Sequence, residues 1–250
     1  MGMKFFRLMA IFVSGVILAG CSSKPAEEKT GVYDPLEGVN RKMWALNYDY
    51  LDPYIVKPAA VAYVTYVPTP VRHGMSNFFS NLSEPASVVN NLIMGNGRKA
   101  ADHVNRFWLN STFGLFGIMD IASSAGITEH GDKGFDDALG HYGVGNGAYV
   151  MLPGAGPYTV RNAAGLVDSA YFPLSYLNIW ASAGKFVVQG LEGRASLLGQ
   201  ESMLENSPDP YVLTREVYLQ RQDYKAEIQA EEYDAAEEEM LDDYLDEYSY

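Results

Sequence analysis

An all-α domain is what this 250-residue sequence predicts, on three observations. Apolar and polar residues recur at helical spacing in segment after segment. Alternating apolar runs of the kind that mark sandwiches and barrels, about every 8–12 residues, do not occur. No internal repeat divides the chain, and its length suits one domain with a substantial core, or at most two.

The N-terminus is set apart from that domain. Lys4 and Arg7 form a short positive region, and residues 8–20 are an apolar run of signal-peptide length, too short to span a bilayer. The run ends in Leu18, Ala19, Gly20 and Cys21, which resembles the lipobox of bacterial lipoproteins. Residues 1–20 then read as a signal peptide, and Cys21 as the acylated first residue of the mature chain. Cys21 is the only cysteine, so disulfides and structural thiolate metal clusters are excluded. One acyl chain anchors marginally, whereas several anchor stably. Ser22 follows where inner-membrane retention commonly uses aspartate, which favours the outer membrane. Residues 21–33, small, polar and charged, read as a tether.

The net charge of −13 is concentrated at the other end. Residues 222–250 carry twelve acidic residues and one lysine, and read as an acidic, self-repelling and weakly ordered tail. Without that tail the body, residues 34–221, is close to neutral. Nothing in it is basic enough to track a phosphate backbone, so nucleic acid is not an expected partner.

Within the body, "LSYLNIWASAGKFVVQGL" holds a single charge in eighteen residues. Its polar residues Ser175, Asn178, Ser182, Lys185 and Gln189 fall at steps of three and four, which is one helix face. The remaining faces carry Leu177, Ile179, Trp180, Phe186, Val187 and Val188. Two environments suit such a helix: the core of a soluble domain with its stripe at the surface, or lipid outside and a wet polar lumen inside. "ADHVNRFWLNSTFG" repeats the pattern, with Asp102, Arg106 and Asn110 in a stripe and Val104, Phe107, Trp108 and Leu109 around it. Asp102 and Arg106 are spaced to pair along that stripe. In "SNFFSNLSEP", Asn77, Asn81 and Glu84 oppose Phe78, Phe79 and Leu82 until Pro85, where the pattern is expected to break. Residues 40–67 add Trp44, Tyr48, Tyr50, Tyr54, Tyr63 and Tyr66, an aromatic density suited to the level of lipid headgroups, although tyrosine also fills ordinary cores.

Motifs that would carry chemistry fail on spacing. "LGHYGVGNGAYVMLPGAGPYTVR" begins like a dinucleotide fingerprint, but Ala148 stands where its third glycine belongs. Gly184 and Lys185 are followed by Phe186 rather than the hydroxyl residue of a phosphate loop. His73, His103, His130 and His141 show no HExxH spacing, and only chance proximity would join His130 to Asp132, or His141 to Asp136 or Asp137, around a metal. Residues 122–126, "ASSAG", are a degenerate nucleophile elbow with Asp136 and His141 in the Ser–Asp–His order, but no strand signal precedes them. No cofactor and no metal is expected.

Five ordered blocks carry a family resemblance: "DPLEGVNR", "NFFSNLSEP", "RFWLNSTFGLFGIMDIA", "LGHYGVGNGAYVMLPGAGPYTVR" and "DPYVLTREVYLQR". Across nearly the whole body the sequence resembles the MlaA/VacJ family of outer-membrane phospholipid-transport lipoproteins. It departs from the family pattern at Ala148, at Asn162 and in "FDDALG". The resemblance implies a single helical, ring-like domain embedded in the outer membrane around an amphipathic channel. It implies that misplaced phospholipids leave the outer leaflet through that channel for a periplasmic phospholipid-carrier protein, with a trimeric outer-membrane porin as scaffold and no bond made or broken. Joined to the polar stripes, it nominates Lys185, Asn178, Ser182, Gln189, Asn77, Asn81, Arg106 and Asn110 as channel residues and Cys21 as the lipidation site. The glycine-rich block becomes a turn system whose aromatics seal against lipid. A passive outer-membrane tether or scaffold, and a lipid hydrolase, are the alternatives.

Overall fold

The computed structural model describes residues 34–228. Cys21, the signal peptide, the tether and most of the acidic segment lie outside the described residues. The described chain is mostly helical. Helix α1 (Glu37–Ala45) runs into a π-helical stretch (Leu46–Val56) and then α2 (Lys57–Tyr66). The long helices α3 (Thr69–Ile93) and α4 (Gly97–Thr112) form an antiparallel pair, reversed at Gly95, whose φ of +78° suits glycine. Short α5 (Ile121–Ser124) and α6 (Phe135–His141) follow.

Helix α3 continues through Pro85 instead of stopping there. Proline inside a helix forfeits one backbone bond. Asn81, Glu84, Ala86, Ser87, Asn90 and Asn91 on either side of it are all buried, Asn81 and Glu84 against α4, and tertiary contacts hold the helix past the lesion.

The glycine-rich block differs from expectation. It contains an antiparallel hairpin, β1 (Tyr149–Leu152) with β2 (Gly156–Thr159), whose turn uses Gly154 and Gly156 at positive φ. Tyr149 does not face outward. It is fully buried, with Met151, against Tyr211 and Leu219 of the C-terminal helix. The first and last family blocks hold this core from below. Asn40 donates to the Tyr149 carbonyl and accepts from Met151 N–H, both at 2.9 Å, so one amide side chain pairs with the strand like a neighbouring strand. Asp34 receives Asn40 at 2.8 Å and Arg215 at 3.2 Å, and accepts a bond from the Tyr211 hydroxyl.

Two 3-10 segments (Arg161–Ala170 and Leu174–Tyr176) lead to α7 (Ile179–Ser196), then α8 (Glu201–Glu205) and α9 (Pro210–Lys225). Asn162 and Asp136, two of the departures from the family pattern, touch: the Asn162 amide donates to the Asp136 carboxylate at 2.5 Å. An aspartate at 162 would repel it. The boundary expected at Gln222 falls inside α9. Gln222 is buried, Ala226 is completely so, and Lys225 pairs with buried Asp137 at 2.9 Å. The acidic composition of that segment hid these docking residues.

Among the described residues, buried polar side chains outnumber buried apolar ones, and half of the latter are alanines. Outside the small core around Tyr149, many large apolar side chains are exposed: Trp180 is 82% exposed, Phe116 76%, Phe186 61% and Trp108 59%. Among the described residues no helix is long and apolar enough to cross a membrane.

Candidate functional site: a polar cavity under an apolar surface

Helix α7 shows how the inversion is built. Two residues of its stripe, exposed Ser182 and half-buried Lys185, line a cavity of about 370 Å³, while Trp180, Phe186 and Val187 are exposed outside that lining. Asn178, expected within the stripe, is instead the N-cap, where its side-chain oxygen accepts from Ala181 N–H at 2.9 Å. Gln189 is exposed beyond the cavity. Opposite α7, helix α3 contributes Ser83, Ala86 and Ser87, which recur at helical spacing and expose small polar surface to the cavity.

The rest of the wall comes from Asp132, Lys133 and Gly134 before α6, from Leu166, Asp168 and Ser169 of the 3-10 segment, and from Lys225 at the end of α9. Leu174 and Leu177 give it an apolar side. Most of its charges are held. Asp168 accepts from Asn90 and from Phe135 N–H, both at 2.9 Å. Lys133 pairs with Glu227 at 3.1 Å and donates to the Lys225 carbonyl. Lys185 is different: its ammonium donates to the Ser83 hydroxyl at 2.9 Å, a neutral partner. Burial pushes the Lys185 pKa down, and the charge of Asp132 partly restores it. Asp132 is exposed at the open side of the cavity, with protein crowded around its carboxylate. Burial, and then the charge of Glu84, push its pKa up to about 6.

The other nominated residues do not line this cavity. Asn77 donates to the Ile118 carbonyl at 3.3 Å, tying α3 to the α4–α5 connection. Asn81 donates to Ser111 Oγ at 2.9 Å in the last turn of α4 and to the Phe116 carbonyl at 3.5 Å in the connection. Arg106 does not pair with Asp102. It reaches Glu84 at 3.3 Å and Asp120 at 3.0 Å, while Asp102 bonds His130 at 2.7 Å. Asn110 donates to Asp120 at 3.1 Å and accepts from Ala122 N–H at 2.9 Å. Against its burial, four hydrogen bonds, two from Ser123 and one each from Arg106 and Asn110, hold the Asp120 pKa down to about 2. The stripe on α4 is a buried network clamping the segment that carries Phe113, Leu115 and Phe116 outward. Helical spacing correctly selects the face, but a stripe does not reveal whether its neighbour is a cavity or a loop.

Residues considered for hydrolysis are occupied separately. Ser123 Oγ donates to Asp120, Asp136 accepts from Asn162, and the His141 ring meets the Ala226 carbonyl. Among the described residues no group of three His, Cys, Asp or Glu is placed to hold a metal ion. Sequence reasoning missed Ser83, Ser87, Asp132 and Asp168 as cavity residues. The i, i+4 spacing of Ser83 and Ser87, continuing the asparagine face of α3, is the signal that was present.

A family model described as MlaA lipoprotein matches residues 32–225. The intermembrane phospholipid transport system lipoprotein MlaA of Shigella flexneri is 44% identical over 223 residues, 88% of each chain. That of Escherichia coli (strain K12) is 43% identical over 223 residues, again 88% of each. That of Haemophilus influenzae is 38% identical over 232 residues, covering 89% of this chain and 91% of the relative. A solved chain, from work on the structural basis for maintenance of bacterial outer membrane lipid asymmetry, superposes with a TM-score of 0.76 at 50% identity. It is covered completely, by 78% of this chain.

Proposed function

Because the chain belongs to the MlaA lipoprotein family, we propose that it is an outer-membrane-embedded, Cys21-anchored conduit for phospholipids. In this reading, misplaced phospholipids leave the outer leaflet through a ring-like helical body and pass to a periplasmic phospholipid carrier. A trimeric porin holds the ring in place, and the membrane keeps its lipid asymmetry. The observation that carries the reading is the inverted burial: polar side chains inside and around a cavity, with Trp180, Phe186 and Val187 on the opposite side of the same helix.

The physics of the two environments supports it. A lysine at the centre of a bilayer costs about 3 kcal/mol or more when it faces hydrocarbon, so Lys185 belongs on the cavity side. There its ammonium can meet a lipid phosphate while acyl chains remain against apolar surface. A large contiguous apolar exterior marks an interaction surface, here lipid. Transport of this kind needs no covalent step, only a lowered cost for a polar headgroup crossing an apolar layer.

The test is a transfer assay with full-length, lipidated protein in vesicles that contain labelled phospholipid and are sampled by a soluble lipid-binding acceptor. The wild type is expected to release intact phospholipid, and Lys185→Glu to release much less while remaining folded and membrane-bound. Equal release by both would favour a passive tether. Appearance of free fatty acid or lysolipid would favour a hydrolase.

A further inference from the structure

The cavity wall holds one cation and one anion, Lys185 and Asp132, that have no ion pair and at most one hydrogen-bond partner among the described residues. Lys133 and Lys225 are matched by Glu227 and Asp137, and Asp168 is consumed by two hydrogen bonds. Lys185 has only the neutral Ser83 hydroxyl, and Asp132 forms no ion pair among the described residues. The two charges influence each other across the cavity without closing on one another. The cavity is open on one side, Asp132 stands exposed and Lys185 half-buried, so both charges are accessible to a ligand that enters it.

We propose that Lys185 and Asp132 together form a subsite for a zwitterionic aminophospholipid headgroup, Lys185 taking the phosphodiester and Asp132 the ammonium. This rests on the conduit reading above and adds a specificity to it. A headgroup with a phosphate and an ammonium a few bonds apart brings one charge to each open group, whereas a glycerol headgroup carries the same phosphodiester but no cation and leaves Asp132 unpaired. The phosphodiester is common to both lipids, so the ammonium matched to the unpartnered carboxylate is the discriminating element. The Ser83, Ser87 and Ser182 hydroxyls offer donors and acceptors to either headgroup and so contribute little to the choice.

The experiment offers full-length, lipidated protein vesicles of equal phosphatidylethanolamine and phosphatidylglycerol, recovers it in mild detergent, and counts the retained headgroups by mass spectrometry. The wild type should retain phosphatidylethanolamine in excess, by roughly tenfold if one charge-assisted contact decides. Asp132→Asn should abolish the excess, and Asp132→Lys should turn it towards phosphatidylglycerol. An unaltered excess in Asp132→Asn, or no excess in the wild type, overturns the subsite while leaving the conduit intact. Failure to retain either lipid overturns the conduit reading itself. Soluble glycerophosphoethanolamine, titrated alone, should bind far more weakly than the lipid because no acyl chain accompanies it, and equal affinity would assign the subsite to a soluble ligand instead. Circular dichroism of each variant separates loss of selectivity from loss of fold.

Discussion

Gly117 lies so close to Asn81 that a Cβ on the glycine would stand 2.4 Å from the asparagine's Cβ. Its φ of +96° adds a backbone conformation that other residues resist. Gly117→Ala is therefore expected to lose about 2–4 kcal/mol, from the combined costs of overlap and left-handed backbone. Denaturant unfolding in detergent measures it. An unchanged midpoint would mean that α3 does not clamp this connection.

Arg106 ties Glu84 to Asp120 in a buried cluster. Arg106→Leu strands two carboxylates and should cost about 3–5 kcal/mol. Asp102→Asn, which weakens only the more accessible contact with His130, should cost under about 1 kcal/mol. Similar losses in the two variants would contradict the assignment of Arg106 to a structural network.

The C-terminal segment docks as far as Glu227, which receives Lys99 at 2.6 Å, Asn96 at 2.8 Å and Lys133 at 3.1 Å. These bonds hold the Glu227 carboxyl down to about 2 although its partial burial opposes them. A chain ending at Arg221 should lose a large part of its stability, while one ending at Ile228 should melt like the full chain. Identical melting of both truncations and the full chain would show that the last turn of α9 carries no packing energy.

Asp132 ionises near 3.8 in an unfolded chain and at about 6 in the fold. The native state therefore holds an extra proton between those values, and stability falls as pH rises through that window. The charges facing Asp132 are Glu84, which raises its pKa, and Lys185, Lys225 and His103, which lower it. Asp132→Asn removes the titration, so it should match the wild type near pH 4 and exceed it in stability at about pH 7. Parallel stability curves for the two proteins would mean that Asp132 is fully hydrated.

The helices and their polar faces were legible in the sequence because spacing alone reports a face. That Ser182 and Lys185 share one side of α7, beside the cavity, follows from the three-and-four periodicity of that helix. What the face meets is a tertiary fact. Arg106 and Asn110 carry the same signature as Lys185, yet they meet Asp120 and a loop. Asn178 looks like a member of the stripe because an N-cap shares the register of the helix it begins. The hairpin escaped notice because its strands have four residues each, fewer than alternation needs to stand out, and glycine and proline surround them. Docking at Ala226 was masked by the charge of everything that follows it.

The central claim is the inversion, and accessibility of single thiols tests it most directly. Val187 is 54% exposed on the outer side of α7, while Lys185 is half-buried in the cavity wall. In water, a thiol at 187 would react faster than one at 185. Lys185→Cys and Val187→Cys are to be treated with a membrane-impermeant maleimide in intact lipid vesicles, with the labelling of the otherwise unaltered protein, which carries Cys21 alone, subtracted. The account predicts the reverse order, with the thiol at 185 labelled through the wet cavity and the thiol at 187 protected by hydrocarbon. Faster labelling at 187 than at 185 in intact lipid would contradict it.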